Sequence, residues 1–173
     1  MKEPTISKDT IYQGKIFTVE KHNVEIEHGS TSVREIVSHS GASAVLPIVG
    51  SNVYLIKQYR KALERETLEI PAGVAEPNED PKNCAARELT EELKMASDNL
   101  EYLTTFQPSP GYLYEPVHLY LATDLHFQSA PHDEDEILEV VAIQFNELLQ
   151  KIWKGEIKDA KTLISILFYS QYY

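Results

Sequence analysis

Three glutamates, Glu88, Glu91 and Glu92, stand at i, i+3 and i+4 in a stretch with helical patterning. At about 100° per residue their carboxylates fall in one arc, while Ala86, Leu89 and Leu93 fall in another, roughly 130–140° away. Arg87 borders the acidic arc and precedes Glu91 by four residues, within ion-pair reach. Carboxylates this close repel and raise one another's pKa, a conflict that a divalent cation relieves. An acid-faced helix is by itself usually a solvated surface. The residues before it change that reading. Pro71-Ala72-Gly73 is a sharp strand exit that leaves backbone carbonyls facing the helix, and Glu79 stands just before Asp80-Pro81. A strand, a glycine loop and an acid-faced helix together form a cup for a hard cation.

Composition suits such chemistry. The 173 residues carry 16 Lys+Arg against 27 Asp+Glu, a formal charge of −11. That surface repels nucleic-acid backbones, so binding driven by counterion release is not expected. It can still meet an anionic small molecule if metal ions lie between the two. The single cysteine excludes a disulfide framework and a thiolate zinc site. No apolar run approaches the roughly 18–20 residues of a membrane span, and MKEPTISKDT has no apolar signal region. No membrane partner is expected, and the cytoplasm is the expected compartment. A 42% hydrophobic content excludes global disorder, and the length predicts one main domain with a small appendage.

The elements that must hold the cup are mostly strands. Ile16–Glu20, Val24–Ile26 and Val33–Val37 alternate as short strands, with a turn at Gly29-Ser30 and a close at Ser40-Gly41. Three such strands have too little apolar content to fold alone. Residues 1–41 are therefore expected to form an N-terminal β subdomain that packs on the main body, 42–173, or on a second subunit. Ala44–Val49 and Val53–Gln58 form a hairpin about Gly50-Ser51-Asn52. Thr67–Ile70 is a strand, and a helix capped by Asp80 runs from Pro81 to about Leu93. Strands follow at Tyr102–Phe106, His118–Ala122 and Leu138–Phe145. Two helices finish the chain, one capped by Asn146 and stopped by Gly155, the other starting at Asp159. This order predicts a mixed sheet covered by helices.

Gly73, five residues, Glu79, seven residues, Arg87-Glu88-Leu89, one residue, Glu91-Glu92 resembles the Nudix box. At residue frequencies of roughly 5–7%, six fixed positions coincide about once in 10⁷ placements, so the resemblance is specific. One departure is Lys94, where the family usually has the glycine that ends the helix. The resemblance implies an α+β Nudix fold: an α/β/α sandwich with a mixed β-sheet between helices and a small N-terminal antiparallel β subdomain. Lys57-Gln58-Tyr59-Arg60 with Glu69-Ile70-Pro71-Ala72-Gly73 resembles the approach to the box in ADP-ribose pyrophosphatases. Ser109-Pro110-Gly111, with Glu115 beyond it, resembles their Ser-Pro-Gly motif. Asp133-Glu134-Asp135-Glu136 resembles their acidic loop, and Val33-Arg34-Glu35-Ile36 their nucleotide-binding strand across a homodimer.

What the resemblance implies is Mg²⁺-dependent hydrolysis of ADP-ribose to AMP and ribose 5-phosphate, with Mn²⁺ as an alternative ion. Glu88 and Glu92, supported by Glu91 and the Ala72 carbonyl, would hold the metals, and Arg87 would position the carboxylates. Glu136 is the first choice for general base and Glu134 the second. Arg60 would pair with a phosphate, Arg34 and Glu35 would hold the adenine end, and Glu69 and Glu115 would hold ribose hydroxyls or metal. Pro110 and Gly111 would shape substrate preference, although Pro-Gly alone is an ordinary turn. Cys84 is read as packing, no histidine shows ligand spacing, and Tyr169, Tyr172 and Tyr173 are read as docking the last helix. Two alternatives remain: a pyrophosphatase for another nucleoside diphosphate sugar or nucleotide, and a non-catalytic ADP-ribose sensor, which would be expected to lack box carboxylates.

Overall fold

The computed structural model describes residues 2–129 and 138–173. In chain order the elements are β1 (Thr5–Gln13), β2 (Phe17–Glu25), β3 (Thr31–His39), β4 (Ala42–Val49), β5 (Asn52–Arg60), β6 (Arg65–Glu69) and β7 (Ala72–Val74). Then come α1 (Pro81–Leu93), β8 (Met95–Phe106), β9 (Leu113–Tyr114), β10 (Val117–Phe127), β11 (Glu139–Gln144), α2 (Phe145–Trp153) and α3 (Ala160–Tyr172). The chain divides into two compact units, Met1–Gly41 with Gln107–Pro116, and Ala42–Phe106 with Val117–Tyr173.

The first unit is one sheet in the order β1-β2-β3-β9. Two of its features differ from the sequence expectation. Where two short strands are expected, Phe17–Glu25 forms one long strand, because Lys21, His22 and Asn23, polar as they are, pair with β1 on one side and β3 on the other. β1 is not among the expected strands. Its apolar residues Ile6 and Ile11 are five apart, which breaks the two-residue period, and register shifts fall between Thr5 and Ser7 and between Thr10 and Tyr12. The segment Gln107–Pro116 joins this unit through β9, which runs parallel to β3 with Val37 opposite Leu113.

In the second unit the sheet runs β11-β5-β4-β10-β8, with β6 on β5 and β7 on β4. β4 and β10 are parallel and their other neighbours antiparallel, so the sheet is mixed as predicted. The hairpin β4–β5 pairs only at Ile48–Val53 and Val49–Asn52, then splays beside Pro47, which has no N–H to give. Alternate residues of β4 and β10 serve two cores. Ala44, Leu46, Leu119 and Leu121 pack with Leu148, Ile152 and Ile166 of α2 and α3. Val45, Tyr120 and Ala122 pack with Ala85, Leu89 and Leu93 of α1. Burial on both faces explains why β4 is a continuous apolar run. Each fully buried leucine contributes about 1.5–3 kcal/mol. The result is an α/β/α sandwich.

Helix ends follow local chemistry. Asp80 caps α1 by accepting from the Lys82 N–H at 2.9 Å, with Pro81 at the first helical position. Lys94 occupies the left-handed C-cap (φ 56°, ψ 37°), so the helix stops where a glycine would have stopped it. Asn146 is not the cap of α2. That place falls to Gln144, because the Phe145 N–H donates to the Ser51 carbonyl (2.9 Å) and the Phe145 ring packs edge-on against Tyr169. Asp159 caps α3 by accepting from the Thr162 N–H. Of the terminal tyrosines, Tyr169 docks against Phe145, and Tyr173 stacks on Tyr169 and donates to Glu101. Tyr172 is exposed and stacks on Phe168 of its own helix. No helix of the described residues is long and apolar enough to cross a membrane.

Candidate active site

The expected cup is built from β7, the loop after it, and α1. β7 is fixed by pairing with β4, Ala72 opposite Ala44 and Gly73 opposite Ser43. Gly73 makes room for the Glu88 carboxylate: a Cβ on it would land on that group, which would have to shift from its place beside Arg87. Glu88 (8% exposed) and Glu92 (6%) are buried on α1. Glu92 Oε2 accepts from the Ala72 N–H at 3.1 Å, so the far end of the arc is tied to the strand exit.

Arg87 is the hub. Its Nε and Nη2 each donate to Glu79 at 3.0 Å, a bidentate pair that anchors the loop to the helix. Its Nη1 donates to Glu88 Oε1 (2.6 Å) and Glu91 Oε2 (2.9 Å), and Nη2 also reaches the Val74 carbonyl. The Arg87 hydrogen bonds hold the Glu79 carboxyl at about 2, and Glu79 in turn raises the guanidinium above its ordinary value. Cys84 is buried between Gly73 O and Arg87, and burial pushes its thiol up to about 11, as befits a packing residue. A cavity of about 340 Å³ adjoins the acidic arc, with Arg87, Thr90, Glu91, Ser97 and Gln128 in its lining.

Sequence spacing predicts that the three glutamates converge on one point. The structure instead parts them: Glu88 and Glu91 turn to Arg87, and Glu92 turns to Ala72. Among the described residues, no three carboxylate, imidazole or thiol groups lie close enough to chelate a cation by themselves. The donor set nevertheless fits a hard divalent ion, since one guanidinium faces Glu79, Glu88 and Glu91 and carboxylate is left in excess.

Arg60 and Glu69 form a second cluster in the same unit. Arg60 Nε and Nη2 grip the two Glu69 oxygens at 2.9 and 2.8 Å. Lys161 Nζ and Thr67 Oγ1 donate to the same carboxylate. Burial alone would raise the Glu69 carboxyl, yet Arg60, Lys161 and Thr67 together hold it at about 2. Glu69, expected to meet ribose or metal, is thus 2% exposed with both oxygens already engaged. Sequence reasoning misses Lys161 and Thr162, which lie 92 residues along the chain from the residues they bind.

The remaining expected site residues lie in the first unit. Arg34 is held by Glu3 through Nε (2.8 Å) and Nη2 (2.6 Å), and Glu35 lines a cavity of about 510 Å³ together with Lys21 and Tyr112. Pro110 and Gly111 sit in a turn closed by Tyr112 and Leu113 N–H groups on the Ser109 carbonyl. Glu115 Oε1 lies 3.7 Å from His39 Nδ1. Glu134 and Glu136 fall outside the described residues.

An α/β/α sandwich whose acid-faced helix backs a glycine loop is the architecture of a NUDIX domain, and the model of that family matches residues 38–164. The chain belongs to this family and is a Nudix hydrolase, a family that works with divalent metal. It is 40% identical to the methanol dehydrogenase activator of Bacillus methanolicus over 96% of this chain and 92% of that one. It is 39% identical to the ADP-ribose pyrophosphatase of Bacillus subtilis (strain 168), covering 97% and 92%. Among solved structures, that of an ADP compounds hydrolase superposes with a TM-score of 0.88 at 24% identity, covering 99% of this chain and 94% of the other, a likeness of fold.

Proposed function

We propose that this chain hydrolyses the pyrophosphate bond of ADP-ribose, giving AMP and ribose 5-phosphate, with Mg²⁺ as the working ion. The observation that carries the reading is the carboxylate excess around Arg87, set against a glycine whose missing Cβ leaves room for the Glu88 carboxylate. Glu88 and Glu92 would hold the ion, with Glu91 in support and the Ala72 carbonyl completing the set. When bound, Mg²⁺ neutralises pyrophosphate charge and acidifies the attacking water. Arg87 keeps the carboxylates in register by holding Glu88 and Glu91 on one nitrogen. Glu136 is the proposed base, with Glu134 as second choice.

For the substrate, Arg60 would donate to a phosphate, Arg34 and Glu35 would hold the adenine end, and Glu115 would hold ribose hydroxyls. Gly111 supports a substrate role for its turn. It has no left-handed φ, and among the described residues a Cβ there would touch nothing, so the fold itself does not call for glycine. The similarity to an ADP-ribose pyrophosphatase points the same way. A homodimer through the N-terminal strands belongs to this reading, supported by exposed Ile6, Ile11, Tyr12 and Ile16.

A hydrolysis panel of ADP-ribose, other nucleotide sugars and nucleoside triphosphates with Mg²⁺, read by product mass, tests the proposal. ADP-ribose should give the highest kcat/KM and yield AMP. A higher value for another member would favour the second reading, a pyrophosphatase for a different nucleotide sugar, to which a 32% identity with the GDP-mannose pyrophosphatase of Yersinia enterocolitica lends weight. Pro110→Ala should change preference across the panel more than it changes Mg²⁺ activation; an unaltered profile would make the turn purely structural.

A further inference from the structure

We propose that Lys161 is a positioning residue that acts through Glu69 to aim the Arg60 guanidinium at substrate phosphate. The inference rests on the phosphate role of Arg60 given above. Arg60 ends β5 with 42% of its side chain exposed, and a free arginine there would sample many rotamers. Glu69 removes that freedom by engaging Nε and Nη2 in a fork. Nη1 is left without a partner among the described residues, so the donors opposite the fork remain for an anion.

The fork holds only while Glu69 stays charged and still. A buried carboxylate is costly unless its charge is met at close range, and Arg60 is half in solvent. Lys161 supplies the second, better-enclosed cation, with its own side chain 14% exposed. Its position is rigid. It lies in the first turn of α3, where Asp159 accepts from Lys161 Nζ at 3.0 Å as well as from the Thr162 N–H and hydroxyl. Docking of α3 does not depend on that charge, because the Ile70 N–H already donates to Thr162 Oγ1 at 2.9 Å beside the Leu148 and Ile166 core. What Lys161 adds is a fixed Glu69 and, through it, a fixed Arg60.

Steady-state kinetics with ADP-ribose and saturating Mg²⁺ test this. Arg60→Met should raise KM by roughly 10- to 100-fold, as loss of a charge-assisted contact does. Lys161→Met should raise KM by about fivefold to tenfold, with kcat within about twofold, and Lys161→Arg should restore most of the loss. In the double variant Arg60→Met/Lys161→Met, KM should be no higher than in Arg60→Met alone. Losses that multiply instead, or a folded Lys161→Met with unchanged KM, would overturn the inference and leave the function standing. An unchanged KM in Arg60→Met would remove the phosphate role and this inference with it. If Lys161→Met does not fold, Lys161→Gln, which keeps a donor without the charge, carries the same cycle.

Discussion

The two ion clusters of the second unit invert one another. Around Glu69, Arg60 and Lys161 meet Glu69 and Asp159, so the charges cancel and both Glu69 oxygens are occupied. Around Arg87, among the described residues, one guanidinium meets Glu79, Glu88 and Glu91, and Glu92 lies buried on the same helix arc within electrostatic reach of Arg60. The first arrangement has no carboxylate left over for a cation, and what it leaves open is the outer edge of the Arg60 guanidinium. The second has carboxylate to spare, which is the condition for recruiting a cation from solution. Two glutamates with similarly depressed pKa values therefore do different things. The sign of the surrounding surplus, more than the size of the shift, separates a cluster that holds an arginine in place from one that recruits a cation.

The largest expected effect lies on the unbalanced side. Glu92→Gln should lower Mg²⁺-dependent turnover by roughly 10³-fold, since metal stabilisation of a transition state is worth several kcal/mol. Its thermal midpoint should stay near wild type, because the amide oxygen introduced there can still accept from the Ala72 N–H. Near-normal rates would remove Glu92 from the metal set. On the balanced side Glu69 also contributes to stability. The Glu69 carboxyl sits at about 2 in the fold against 4.5 unperturbed, so its contribution is fully present above about pH 4.5 and is lost as pH falls through 2. Urea titrations from pH 7 to pH 2 should show wild type losing up to about 3 kcal/mol relative to Glu69→Gln across that window. Parallel curves would mean that Glu69 is not charged in the fold. Glu79 titrates in the same window but is held mainly by Arg87 in a more open place, so Glu79→Gln should flatten the curve less.

The smallest effect tests whether the helix end belongs to either cluster. Lys94→Gly relieves a left-handed φ and should stabilise the fold by about 0.5–1 kcal/mol. The gain is partly offset by loss of the Lys94 Nζ contact with the Glu91 carbonyl. Activity should not change; a fall would tie Lys94 to the chemistry.

The unbalanced cluster was legible in the sequence because it is local. Gly73, Glu79 and Arg87 to Glu92 lie close together along the chain, and helical spacing alone sets Arg87 beside Glu91. What spacing could not give was rotamer choice: that Arg87 draws Glu88 and Glu91 to itself while Glu92 turns to a backbone N–H. The balanced cluster was not legible. Arg60 and Glu69 were visible as residues, but their mutual grip depends on the β5–β6 hairpin, and Lys161 comes from the final helix. A mixed sheet covered by helices followed from the apolar runs and the capping at Asp80 and Asp159, and the sandwich from the resemblance to the Nudix box. The first unit was harder. β1 lacks a clean two-residue period, and the place of Gln107–Pro116 beside β3 is a long-range pairing that no local pattern announces.

The hydrogen bond from the Ile70 amide to Thr162 has a bearing on how the chain is made. Ile70 belongs to the segment that enters the glycine loop, yet its partner is added 92 positions later. A nascent chain displaying the whole acidic helix would still lack the backing for that segment until α3 leaves the ribosome. Assembly of the pocket thus waits for α3, and a version cut short before Thr162 would possess every box glutamate on a strand exit left loose.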